Sequence, residues 1–202
     1  MLSIVIQAGG QSSRMGENKA LKHFLGRPLI QRVIERLTPI ADEILVTTNQ
    51  PADFTFLNLP LFSDIKPGRG PLGGLYTALV SAKNPVVAVI ACDMPFVNAK
   101  LIEAATRFMV EEEADVVIAQ TPEGYEPLHA IYRRATCIPA IEAAINNDQW
   151  RMVAWFPQVK VRMLSSSELD LYDPEHVAFL NVNTAEEFAE AEQRAQLLDR
   201  SI

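Results

Sequence analysis

Apolar positions along this chain repeat with two different periods. Short runs rich in β-branched residues occur at Leu2-Ser3-Ile4-Val5-Ile6, at residues 43–48, at 86–91 and at 115–119. Runs that are almost wholly apolar predict strands buried on both faces rather than strands with one wet side. Between them the period lengthens. Residues 28–40 place Leu29, Val33, Ile34 and Leu37 on one helical face, with Pro28 at a first-turn position. Residues 72–82 and 99–110 read as helices in the same way. Strand and helix in alternation predict a three-layer α/β/α domain with a mostly parallel central sheet. From residue 127 the rhythm weakens. Pro127 to Tyr132 predicts a strand, Ala135 to Ile145 a helix, Val159 to Leu164 an alternating strand and Phe179 to Val182 a last short strand. Thr184 with Glu187 three residues on is a capping-box signature, predicting a closing helix to about Leu198. No internal repeat or linker interrupts residues 1–202, which predicts a single domain.

The first strand runs into Ala8-Gly9-Gly10 and a polar loop holding Ser12, Ser13, Arg14, Gly16 and Lys19. Adjacent glycines expose backbone N–H groups and permit close approach to a ligand. Arg14 and Lys19 can neutralise phosphate oxygens, one as a planar fork and the other as a point charge. The loop is neither of the familiar phosphate binders. Walker A requires Lys directly after its last glycine, whereas Gly16 is followed by Glu17-Asn18; GxGxxG fails because Gly9 and Gly10 are adjacent. What remains, AGGxSxRMGxxK, still suits a nucleoside triphosphate better than a bare turn.

Further chemistry gathers where predicted strands end, the place where ligands bind in parallel α/β sheets. Asp93 follows the apolar run ending at Cys92, where a carboxylate can ligate magnesium or cap a turn. Asp64 begins a loop reaching Gly70, and reads equally as a turn residue. Gly73-Gly74 is expected to open a helix and present amides to an anion or a base edge, or else to allow close packing. Thr47 and Asn49 close the second strand. Gln7, a polar side chain ending the first, needs a hydrogen-bond partner. In the second half, Arg133, Arg134 and Arg151 are candidate phosphate partners, and Asn181 and Asn183 share one face of the predicted last strand. His129 reads as packed structure rather than a general base.

Charge narrows the partners. The net charge of −7 and pI near 5.0 exclude a general nucleic-acid surface but leave local cation clusters for a small anion. No apolar stretch is long enough for a bilayer and no basic-then-apolar leader stands at the start, which predicts a soluble, cytoplasmic protein. Cys92 and Cys137 form no CxxC pair and are expected to be reduced thiols.

The loop, together with Gly70-Pro71-Leu72-Gly73-Gly74, Cys92-Asp93-Met94-Pro95, Glu126-Pro127-Leu128-His129-Ala130 and Asn181-Val182-Asn183-Thr184, resembles the molybdenum cofactor guanylyltransferases (MobA type) within the wider nucleotidyltransferases. The segments stand in family order over nearly the whole chain. The resemblance implies a Rossmann-like nucleotidyltransferase fold, with residues about 1–120 holding the nucleotide and about 121–202 the acceptor. It implies transfer of GMP from GTP to the terminal phosphate of molybdenum-loaded molybdopterin. Arg14, Lys19 and Asp93 would be catalytic, and Asp93 would bind magnesium. Gln7, Ala8, Gly9, Gly10, Lys19, Thr47, Asn49, Asp64, Gly73, Gly74 and Asp93 would line the nucleotide. Arg133, Arg151, Asn181 and Asn183 would meet the acceptor. Molybdenum-insertion proteins and molybdoenzyme clients are the implied partners.

Two residues depart from the family pattern: Thr47 stands where Asn is common and Gln7 where Leu is usual. Gly9 is the guanine version of a position that is Ala in the related cytidylyltransferases. Rival readings are the same chemistry with CTP or another phosphorylated acceptor, and a non-catalytic carrier of the cofactor or a nucleotide.

Overall fold

Residues 1–9 and 18–199 are described by a computed structural model. Gly10 and Arg14 lie outside them. Strand β1 (Leu2–Gln7) is buried along its whole length. It is flanked in parallel by β4 (Glu43–Thr47) and β6 (Val86–Ala91), with β5 (Leu61–Phe62) beyond β4. The seven-stranded sheet has the order β5-β4-β1-β6-β8-β7-β9. Here β7 is Val116–Thr121, β8 Gly124–Arg133 and β9 Val161–Met163. Only β8 runs antiparallel to its neighbours, so β1, β4, β5, β6, β7 and β9 all point their carboxyl ends to one edge. A separate two-residue ribbon pairs β2 (His23–Phe24) with β3 (Arg27–Pro28).

The strand side chains alternate between two cores, as full burial demands. Ile4, Ile6, Ala88 and Ile90 pack with α1 (Leu29–Leu37) and α3 (Ala99–Glu111) on one face. Val5, Leu45, Val87 and Val89 pack with α2 (Gly70–Ser81) and α4 (Arg134–Asn146) on the other. The expected three layers are therefore present. A smaller cluster of Phe24, Leu29, Phe96 and Phe188 seats the ribbon against α6 (Ala185–Asp199). The short helix α5 (Ser166–Tyr172) is held on β9 by Arg162, which pairs with Glu168 and also reaches Glu112 at 3.1 Å.

Two sequence expectations are corrected. Residues 179–182 form no strand: Leu180 N–H turns back to Val177, and only Val182 reaches the sheet end, donating to Asp93 O at 3.1 Å. Helix α2 begins at Gly70, so Gly73-Gly74 lies inside it and does not open it. The Gly73 N–H is already bound to Arg69 O at 3.3 Å. The closing capping box is as expected, with Glu187 N–H on Thr184 Oγ1 and Thr184 N–H on Glu187 Oε2, both at 3.1 Å.

Candidate active site

Three distant segments meet at the carboxyl edge of the sheet. Asn18 caps a short 3-10 turn at Lys19–Leu21, accepting from Ala20 N–H at 3.2 Å, and this fixes the start of the Lys19 side chain. The Lys19 ammonium donates to Asp93 Oδ2 at 3.0 Å and to Asn183 Oδ1 at 2.9 Å. Asp93 sits just past β6, where Cys92 N–H is tied to Gln7 O at 3.2 Å. Asn183 is brought in by the Val182 bond to Asp93 and by its own N–H on Glu187 Oε2 at 2.6 Å. Lys19 and Asp93 keep 18% and 19% of their side-chain surface exposed, enough for a ligand to touch both without desolvating a buried ion pair.

A second cluster lies where β1, β4 and β5 end. Gln7 and Thr47 are register partners, and Ala8 N–H continues the ladder to Thr47 O at 2.8 Å. Asn49 and Asp64 bind each other twice, Nδ2 to Oδ2 at 2.8 Å and Asp64 N–H to Oδ1 at 3.1 Å, a closed pair at the exposed rim. The Gly74 position explains the glycine: a Cβ there would stand 2.1 Å from Gln7 Nε2. At Gly73 it would stand 2.9 Å from Arg69 Cβ. Close packing, rather than free amides, is what both glycines provide. A Cβ built on Gly9 meets nothing within 4 Å, so no described neighbour crowds that position.

Arg133 does not join the site. Antiparallel β8 carries it to the opposite edge, beside Val86, where it binds Ala114 O and Met109 O and lies 3.6 Å from Asp115. Arg134 follows it there and caps the end of α2 through Leu79 O and Val80 O. Arg151 is exposed in the turn after α4, next to Trp150, over whose ring Arg69 lies at 4.8 Å while pairing with Asp148. Among the described residues Asn181 reaches only Phe179 O, at 3.4 Å, and it lines a cleft of about 660 Å³ between the β7–β8 turn, α5 and the segment before α6. The walls of this cleft include Glu123, Glu126, Asp170 and Glu187. Burial raises the pKa of Glu126 despite its hydrogen bond from Thr121. Sequence reasoning did not find this cleft; the turn signal at Thr121 to Gly124 was its only trace.

Nucleophile chemistry has no support among the described residues. Burial pushes the Cys92 thiol up to about 12, too high for a thiolate near neutrality. Burial also lowers His129 to about 4, its ring packed 4.7 Å from Phe179, so it is a neutral structural imidazole. What the described site offers instead is the Lys19 ammonium, paired with Asp93 at the carboxyl edge of the sheet.

A mostly parallel α/β sheet with Gly9 just past β1, and a lysine and an aspartate at its carboxyl edge, has the layout of a nucleotidyltransferase. The family model for the MobA-like NTP transferase domain matches residues 4–160, and the chain belongs to that family. It is 37% identical to a probable molybdenum cofactor guanylyltransferase of Carboxydothermus hydrogenoformans over 93% of both chains. It is 35% identical to a molybdenum cofactor guanylyltransferase of Desulfosudis oleivorans, again over 93% of both. The crystal structure of molybdopterin-guanine dinucleotide biosynthesis protein A from Archaeoglobus fulgidus has the same fold. It gives a TM-score of 0.83 at 23% identity, over 96% of this chain and 98% of that one.

Proposed function

We propose that this protein transfers GMP from GTP to the terminal phosphate of molybdenum-loaded molybdopterin, releasing pyrophosphate. The observation that carries the reading is the Lys19 ammonium held between Asp93 and Asn183. It sets a cation and a carboxylate side by side where a triphosphate would lie, and ties both to the C-terminal segment. The named relatives support the choice of substrates.

The nucleophile is an oxygen of the acceptor phosphate, already ionised near neutral pH. It forms a bond to the α-phosphorus while the bond to the bridging oxygen breaks and pyrophosphate departs. No proton must be removed, which agrees with the absence of a poised base among the described residues. Catalysis then rests on positioning and charge neutralisation. Lys19 steadies phosphate oxygens of the leaving group; Arg14, from the loop after β1, is assigned the same task. Asn183 holds Lys19 from the acceptor side.

Magnesium fits Asp93. A single carboxylate, with 19% of its side-chain surface exposed, suits a hard cation that takes few protein ligands and keeps waters and phosphates in its shell. Among the described residues no group of three or more His, Cys, Asp or Glu offers a tighter cage. Bound there, the ion would neutralise charge developing on the triphosphate. No described helix is long and apolar enough to cross a membrane, and the free thiols Cys92 and Cys137 suit the cytoplasm to which we assign the protein.

The test is pyrophosphate release by purified protein with magnesium and molybdenum-loaded molybdopterin, comparing GTP with CTP. Release with GTP is the expected result. Release with CTP alone moves the protein to cytidylyl transfer, and silence with both in folded material overturns the transferase reading.

A further inference from the structure

Helix α6 reaches the site through one carboxylate. Glu187 Oε2 accepts two successive backbone N–H groups, from Asn183 at 2.6 Å and from Thr184 at 3.1 Å. Asn183 in turn accepts from the Lys19 ammonium through Oδ1 at 2.9 Å. Residues 180–183 lack the strand that would otherwise fix them, so the place of Asn183 depends on the bonds to either side of it. On one side Val182 N–H holds Asp93 O at 3.1 Å; on the other stands the Glu187 carboxylate. Hydrogen bonds to an ionised acceptor are about twice as strong as neutral ones.

The helix behind that carboxylate is anchored to the segment that carries Lys19. Phe188, the next residue, is buried, and its ring meets Phe24 edge-on with centroids 5.4 Å apart. The Lys22 ammonium lies 4.2 Å from the centre of the same ring, and Leu25 N–H donates to Glu192 Oε1 at 2.7 Å. Lys22, Phe24 and Leu25 follow directly on the turn Lys19–Leu21. A closed path thus runs from Lys19 along the chain to α6, and back through Glu187 and Asn183 to the ammonium. Apolar packing fixes its far half, and the Glu187 carboxylate closes its near half. A charge held in place beforehand loses least when its ligand arrives.

We propose that Glu187 is a positioning residue of the nucleotide site: acting through Asn183, it sets the Lys19 ammonium where a triphosphate is received. The proposal rests on the nucleotidyl-transfer reading above and adds a residue to which that reading gives no task. A capping box by itself would make Glu187 a helix cap, but its two halves can be separated. Thr184 Oγ1 serves the Glu187 N–H, inside the helix. The Glu187 carboxylate serves Asn183 and Thr184, outside it. Removing the hydroxyl weakens the helix start and leaves the Asn183 bond in place, whereas removing the carboxylate breaks that bond as well. Glu187 also lines the cleft beside Leu180 and Asn181, so action through Asn183 must be distinguished from direct contact with a ligand there.

The test is a double-mutant cycle on the full chain, with Glu187→Ala, Asn183→Ala and the two combined, beside Thr184→Ala and Glu187→Gln. Titration calorimetry with GTP and magnesium, without acceptor, gives nucleotide affinity. Pyrophosphate release with molybdenum-loaded molybdopterin gives turnover. Glu187→Ala and Asn183→Ala should each lower GTP affinity by about three- to tenfold, the scale of one hydrogen bond, and the combined variant by no more than either alone. Thr184→Ala should lose about 2–4 °C of melting temperature, as Glu187→Ala does, yet bind GTP like the native protein. Glu187→Gln, whose amide oxygen can accept the same N–H groups, should recover most of the affinity. A loss of affinity in Thr184→Ala equal to that in Glu187→Ala makes the carboxylate a helix cap and overturns the proposal. Full additivity with Asn183→Ala, or an effect confined to the KM for the acceptor, overturns it too, because Glu187 then acts independently of Asn183. Native protein that binds GTP but releases no pyrophosphate removes the transferase reading, while the calorimetric cycle still decides the role of Glu187. Native protein that binds no GTP overturns both.

Discussion

Lys19 is the residue on which the site turns, because one ammonium joins the segment after β1, the end of β6 and the approach to α6. Lys19→Ala and Asp93→Ala should each lower turnover by about a hundredfold or more, the scale of losing a key electrostatic group. Asn183→Ala removes one hydrogen bond and leaves the ion pair, so its loss should be nearer three- to tenfold. Steady-state pyrophosphate release on folded variants checks all three, and a Lys19→Ala enzyme of near-native turnover would remove the residue from the mechanism. The sequence made Asp93 legible because it directly follows a strand-like run, and Lys19 because it ends the glycine loop after the first one. It singled out Asn183 by alternation on a predicted strand that does not form and gave it a role only through the family resemblance, since its approach is set by a chain crossing and not by a strand. Arg133 misled because its place depends on which way β8 runs. The partner of Gln7 could not be read at all: a glycine in a helix says only that space is needed, not what fills it.

At the level of elements, β-branched runs and helical apolar faces located most strands and helices within a few residues. Direction was the hidden variable. A ten-residue β8 paired at Thr121 and Gly124 through a two-residue turn must reverse, and the Gly124 φ of +131° permits that turn. A local apolar pattern carries no sign for direction, so only the turn residues held the information. The supposed strand at 179–182 failed because just one of its amides finds the sheet. The Thr184 capping box was readable because it is encoded within four residues. Thr184→Ala should cost about 1 kcal/mol in urea unfolding, the typical worth of such a cap. Hydrogen exchange should show the loss concentrated in the first turn of α6, next to Asn183.

For the molecule as a whole, acid is the sensitive direction. Burial holds His129 neutral with a pKa of about 4 against 6.5 for the exposed group. Its contribution is complete above pH 6.5 and is lost as pH falls through 4. Arg162 holds Glu168 at about 2 against 4.5, so that contribution is complete above 4.5 and lost toward 2. Both signs agree: the unfolded chain binds more protons, and stability falls on acidification. The urea midpoint should decline in two limbs, from pH 6.5 to 4 and then below 4.5. His129→Phe should flatten the first limb and Glu168→Gln the second. The first limb is worth on the order of 1–3 kcal/mol by the usual conversion of such shifts; no change of slope in His129→Phe would remove the imidazole from the balance. The stacking of Arg69 on Trp150 has an optical consequence. Trp155 is fully buried, whereas Trp150 is 52% exposed and lies against the residue that precedes α2, the helix bearing Gly74. The chain thus carries one indole in a dry environment and one in a wet environment beside the start of α2. A ligand that shifts the start of α2 would alter the red side of the emission and leave the blue side as an internal standard, so occupancy can be followed by fluorescence without a label.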